Sequence, residues 1–104
     1  MPGIHFAAVR EMISLADVLE LIGFVSRERV GDQVRGSCPV HESASPRNRS
    51  FSANLKRNVW QCFRCGSSGN QLDLYVAVTR LTLFEAAVDL CERLRHDVPW
   101  IGSR

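Results

Sequence analysis

Two short stretches hold four side chains able to bind a metal ion: Cys38-Pro39-Val40-His41 and Cys62-Phe63-Arg64-Cys65. Each sets two donors two residues apart, so that one tight turn can aim both at a single ion. Residues 42–61, twenty in all, separate His41 from Cys62. That lies within the range over which two such turns close one site. Cys38, His41, Cys62 and Cys65 would give a closed tetrahedral Cys₃His set. Soft sulfur, imidazole and four-coordination are the donor chemistry of a structural Zn²⁺. Gly66 follows Cys65 and allows the positive φ that completes such a turn. The competing chemistry of a Cys-x-x-Cys is a thiol redox pair at a helix start in a βαβ unit. Here the pair follows a strand–turn–strand pattern and has a Cys/His counterpart, so one structural zinc is the expectation. Four protein ligands leave no open coordination position for metal catalysis.

Cations crowd the same region. Between residues 27 and 64 eight Lys and Arg stand against three acids, giving +5, so the flanks carry −3 of the total +2. Three thiolates and a neutral imidazole leave a zinc site at −1, which Arg35 and Arg64 could offset while bonding the sulfurs or nearby carbonyls. A basic middle between acidic ends also suits a polyanionic partner.

The elements that must position these residues read as follows. A helix spans 14–22: Ser14 and Asp17 form a capping-box pattern, Leu15, Val18, Leu19 and Ile22 recur at helical spacing, and Gly23 stops it. Whether residues 4–12 extend this helix or form a separate turn stays open. From 24 to 66 the chain reads as a zinc ribbon. A hairpin turns at Gly31-Asp32, and strands around 51–53 and 59–61 are joined by a turn at Asn54 to Arg57. Asn70 caps a helix over 71–79, expected to be largely buried. Thr82 and Glu85 open another over 83–95, with Phe84, Ala87, Val88, Cys91 and Leu94 as its apolar stripe. Segregated strands and helices predict an α+β fold: one domain over 1–104, an antiparallel sheet carrying the metal, one N-terminal helix and two C-terminal ones.

The length fits one domain. No run of eighteen apolar residues suggests a membrane span, and the N-terminus lacks a secretory pattern. A cytoplasmic, reducing setting follows, where closely spaced cysteines favour metal over disulfide. Cys91 reads as a small core hydrophobe. His5 and His96 have no spacing to the knuckles and read as non-ligands.

Together, "GSCPVHESASP", "SFSANLKRNVWQCFRCGSSGNQLDL" and "LTLFEAAVDLCERL" resemble the zinc-binding domain of bacterial and phage DNA primases over residues 14–95. That family shows Cys-Pro-x-His, a Pro-Ser-Phe strand, an aromatic before Cys-Phe-x-Cys-Gly, a Gly-Asn or Gly-Asp helix start, and a Leu-(Ser/Thr)-Phe-x-Glu-Ala segment. Arg47 to Arg49 intervene here between Pro46 and Ser50, lengthening a loop and adding charge. No Asp-x-Asp pair or carboxylate cluster is present. The chain alone is therefore expected not to synthesise RNA, whether it is a stand-alone zinc domain or a piece of something larger.

The resemblance implies a zinc-dependent DNA-binding module that recognises a single-stranded template. It would act in DNA replication or a mobile-element process with a separate primase, polymerase or helicase protein. Arg35, Arg49, Lys56, Arg57 and Arg64 are the candidate phosphate contacts, and Trp60 and Phe63 the candidate base-stacking residues. Packing under the ribbon competes with stacking: it is preferred for Phe51 and Phe63, and Trp60 stays open between the two. The alternative function is a zinc-stabilised protein–protein interaction module, with the acidic last helix and Pro99-Trp100-Ile101 as its contact.

Overall fold

The computed structural model describes residues 3–40 and 49–101. Its helix starts are set by side-chain caps. Ser14, Asn70 and Thr82 each accept from the backbone N–H three residues on, and Asp17, Asp73 and Glu85 reach back to the cap N–H. These capping boxes satisfy donors that the first helical turn would otherwise leave unpaired. They open α2 (Leu15–Leu21), α3 (Gln71–Thr79) and α4 (Leu83–Arg93). Gly23, at φ +77, ends α2, with the Phe24 N–H returning to the Leu19 carbonyl.

A separate helix, α1 (Phe6–Met12), precedes α2, so two helices stand at the N-terminus where one was expected. The break is at Ile13, which is extended and fully buried. Gln71, itself buried, donates its side-chain amide to the carbonyls of Arg10 and Ile13, both at 2.9 Å. It thereby ties the end of α1 to the start of α3.

The main sheet is antiparallel throughout and follows chain order: β2 (Glu28–Val30), β3 (Gln33–Gly36), β4 (Phe51–Asn54), β5 (Val59–Cys62) and β6 (Ser68–Asn70). A short ladder pairs β1 (Gly3–Ile4) with β7 (Trp100–Ile101). Sequence reasoning had no strand at 68–70 or at either end.

Strand alternation sends Val34, Phe51, Ala53, Trp60 and Cys62 to one face. All are buried in a single cluster with Leu15, Val18, Leu72, Leu74, Leu90 and others. Phe51 touches Phe24 and Trp60 at ring-centroid separations of 5.1 and 5.7 Å. Gly36 lies opposite Phe51 in register. A Cβ there would come within 2.8 Å of the Phe24 ring and of the Val25 carbonyl, so the chain after α2 can cross the sheet only over glycine.

On α4 the buried residues are Ala86, Ala87, Leu90 and Cys91, while Phe84 and Val88 are half-buried. The core-facing stripe is thus rotated from the one expected. Cys91 is a core residue whose thiol burial pushes upward in pKa. No helix among the described residues is long and apolar enough to cross a membrane.

α3 and α4 are also joined by the Tyr75 hydroxyl donating to the Asp89 Oδ2, which also accepts from the Arg93 Nε at 2.9 Å. Burial, together with the Asp89 bond and charge, pushes Tyr75 up to about 12 from an ordinary 10. The Tyr75 bond, helped by Arg93, holds Asp89 below its ordinary 3.8. A raised pKa stabilises the fold below pH 10 and the contribution fades as pH climbs towards 12. A lowered carboxylate pKa stabilises it above pH 3.8 and the contribution fades on acidification. Tyr75→Phe is therefore expected to cost about 1–2 kcal/mol at neutral pH and to flatten both edges of the stability–pH profile, read by urea unfolding at pH 3, 7 and 11. An unchanged profile would deny the bond any part in it.

Candidate metal centre and sheet face

Three sulfurs converge at one end of the sheet. Cys38 follows β3, Cys62 closes β5, and Cys65 completes the turn beyond it. That turn is built by the backbone. The Gly66 N–H reaches the Cys62 carbonyl at 3.0 Å, the Cys62 N–H the Ser67 carbonyl at 2.8 Å, and Gly66 takes φ +78. The Phe63 N–H bonds the Ser50 carbonyl at 2.8 Å and anchors the knuckle to the start of β4.

The Sγ atoms of Cys38, Cys62 and Cys65 all lie within 4.8 Å of one another. On a tetrahedral zinc with Zn–S near 2.3 Å they would stand about 3.8 Å apart, so small side-chain movements bring them to that geometry. Cys38 and Cys62 are buried and Cys65 is exposed.

The surroundings favour thiolate at Cys62. Burial raises its pKa, but the Cys65 N–H at 3.4 Å, the Ser50 hydroxyl at 3.6 Å and the Arg64 N–H outweigh burial and bring it down to about 6. A deprotonated, hydrogen-bonded sulfur is what a metal ligand requires. The three cysteines thus fit a zinc ion by donor type and spacing, and Cys62 by its thiolate character as well. His41 lies outside the described residues.

Beside the sulfurs the outer face of the sheet is open and mixes polar with apolar groups. Gln33, Ser52, Asn54, Gln61, Phe63 and Ser68 line a depression of about 380 Å³. Ser52 and Gln61 are cross-strand partners, and Gln33 donates its amide to the Ser52 hydroxyl at 2.7 Å. Phe63 is 60 % exposed, and the Arg35 guanidinium sits 5.4 Å from its ring centroid, within cation–π range. Arg35 also donates to the Arg49 carbonyl at 2.8 Å, while its Nε is buried with no hydrogen-bond partner among the described residues.

The chain matches the CHC2 zinc finger family over residues 4–103. The chain belongs to that family. Its relatives include the DNA primase of Synechocystis sp., 30 % identical over 96 residues, 91 % of this chain and 15 % of that protein. The Helicobacter pylori DNA primase is 30 % identical over 88 residues, 84 % of this chain and 15 % of the relative. This zinc finger therefore spans about 15 % of the length of the relatives it matches. The crystal structure of the Aquifex aeolicus primase, comprising zinc-binding and RNA polymerase domains, superposes with a TM-score of 0.72 at 26 % identity, covering 91 % of this chain and 22 % of that one.

The zinc finger separates the two aromatics that the sequence had grouped. Trp60 is only 4 % exposed, with its ring on Phe51 and its Nε1 donating to the Asn70 carbonyl at 2.8 Å. It is core, with only a sliver of it lining the depression, whereas Phe63, for which core packing was preferred, faces solvent. Lys56, Arg57 and Arg64 are exposed, with Lys56 and Arg57 in the β4–β5 turn. The sole ion pair among the described residues is Arg93 with Asp89, so none of the basic candidates is neutralised by one. Sequence reasoning missed Ser50, the hydroxyl beside the Cys62 sulfur. It also missed Gln33, Ser52, Gln61 and Ser68, which the alternation of β3 to β6 aims outward.

Proposed function

We propose that this chain is a zinc-stabilised module that binds single-stranded DNA on the outer face of its sheet and serves a primase-type replication system. Catalysis and strand unwinding come from separate polymerase and helicase components. One structural Zn²⁺ is held by Cys38, Cys62 and Cys65, with His41 supplying the fourth ligand. The observation that carries the reading is Phe63: a large ring left in solvent beside Arg35, directly over the knuckle that would hold the metal. A flat exposed ring with a cation over one face leaves its other face for an unpaired base and the cation for the phosphate. Arg49, Lys56, Arg57 and Arg64 supply further phosphate attraction. DNA primases among the relatives, and the basic middle of the chain, support the same reading.

The test is fluorescence anisotropy with labelled single- and double-stranded thirty-mers. The single strand is expected to bind more tightly. With about three to five phosphate contacts its affinity should fall roughly 20- to 130-fold between 50 and 200 mM salt. Affinity indifferent to salt, or none at low salt, would defeat the reading. A second reading, protein docking, is favoured by the groove on α4 lined by Leu81, Phe84 and Val88. It predicts a partner complex that persists with no oligonucleotide binding at all.

A further inference from the structure

A second cleft opens where the sheet-face depression ends. Val59, at the start of β5 and 45 % exposed, lines both. Beyond it the walls are α1, the β4–β5 turn and the start of α3, and two cations stand in them: Arg10 on α1 and Arg57 in the turn. Both are exposed, and among the described residues neither guanidinium has a hydrogen-bond or ion-pair partner. Glu11 is the one acid lining the cleft, and Asn58, Asn70 and Gln71 complete it.

The two cation-bearing segments are far apart in the chain but locked together. Gln71 donates to the Arg10 and Ile13 carbonyls. Asn58, held at φ +56, accepts from the Leu15 N–H at 2.7 Å with its side-chain oxygen. A left-handed conformation costs most residues energy, and Asn is among the few that adopt it readily. Here it directs the side chain onto the first turn of α2. The backbone of Arg10 is thus fixed to α3, and the α1–α2 corner is fixed to the residue next to Arg57. Two uncommitted guanidiniums whose backbones are held on one frame can close together on an anion with several acceptor oxygens.

We propose that this cleft is a phosphate-binding subsite that carries a single strand off the sheet face, past Val59, between Arg10 and Arg57. The proposal rests on the single-strand reading and extends it from one stacking residue to a track. From Phe63 back to Val59 the track follows β5 for about 13 Å at the usual strand rise. The cleft then adds a second phosphate contact region. The footprint belongs at the short end of single-strand site sizes, about four nucleotides. Arg10 becomes a DNA contact that neither the knuckle motif nor the basic middle of the sequence contains.

The test compares the salt dependence of thirty-mer binding for the wild type, Phe63→Ala, the pair Arg10→Ala with Arg57→Ala, and the pair Arg27→Ala with Arg29→Ala at the opposite edge of the sheet. Zinc content and thermal midpoint verify that each variant is folded. Losing two contacts should reduce the slope of log affinity against log salt by about 1.4, and so shrink the fall between 50 and 200 mM about sevenfold. The control pair, removing the same charge, should change the slope by much less. Equal effects of the two pairs would mean diffuse attraction with no subsite. An unchanged slope for the Arg10/Arg57 pair, with Phe63→Ala still weakening binding, would remove the cleft and leave the sheet face standing. Absence of wild-type binding would remove both.

Discussion

Stripping the metal with a strong chelator is expected to lower the melting temperature of this domain by at least about 20 °C. Structural zinc in finger peptides contributes roughly 10–16 kcal/mol of binding free energy at neutral pH. A whole domain is stable by only about 5–15 kcal/mol. Losing even about 5 kcal/mol corresponds to a shift of 20–40 °C for a domain of this size. The loss should begin at the sheet, because two of the three sulfurs are core atoms: Cys38 and Cys62 are at most 1 % exposed, and Cys62 lies opposite Phe51 in register. Without the ion, thiolates in that position repel one another or must be reprotonated. The near-ultraviolet dichroism of Trp60, which packs on Phe51, should collapse before the helical signal of α3 and α4 is lost. Cys38→Ser and Cys62→Ser should reproduce the effect in excess zinc. Cys91→Ser, buried on α4 away from the cluster, should keep one zinc per chain. His41→Ala should weaken zinc retention against a competing chelator. A chain that holds no zinc, or one that loses it equally through Cys91→Ser, would overturn the assignment.

The cysteine cluster was legible because its chemistry is local: Cys62 and Cys65 share one turn with a glycine after it, and Cys38 meets them from the end of β3, while His41 lies outside the described residues. The helix starts were legible for the same reason, since Ser14 with Asp17, Asn70 with Asp73 and Thr82 with Glu85 each complete a cap within four residues. What failed needed knowledge of partners distant in sequence. The strand Ser68–Asn70 contains glycine and no β-branched or aromatic residue, so propensity says nothing; it exists because β5 offers an edge. The second N-terminal helix is separated from α2 by Ile13, whose carbonyl is bonded by Gln71, 58 residues later. On α4, Phe84–Val88 and Ala86–Leu90 are both helically spaced apolar series. Only packing against α1 and α3 decides which is inside.

The misplacement of Phe63, and the open question over Trp60, have a different cause, since the signal was present. Side chains two apart on a strand share a face. Cys62 must point to Cys38 on the other turn, so Trp60 points with it, into the core. Phe63 follows the last strand residue and turns the opposite way. A metal ligand on a strand thus sets the orientation of its neighbours, and period-2 alternation read backwards from Cys62 yields the inner and outer faces of β5.

That geometry sets up the sharpest functional contrast in the molecule. Trp60→Ala is expected to cost about 3–5 kcal/mol of stability, because it empties a packed site and leaves the Asn70 carbonyl without its indole donor. Phe63→Ala, at a side chain 60 % exposed, should change stability by no more than about 0.5 kcal/mol. It should weaken single-strand affinity by about 1–3 kcal/mol, the usual worth of one base–aromatic stack, or roughly 5- to 150-fold. Urea midpoints and anisotropy titrations on the same two zinc-loaded proteins separate the effects. Phe63→Tyr keeps the ring and should restore most of the affinity. Were Trp60→Ala to keep its midpoint and lose DNA, or Phe63→Ala to melt early and keep it, the two faces of β5 would have exchanged roles. The outer face of the sheet could then no longer be the one that meets the strand.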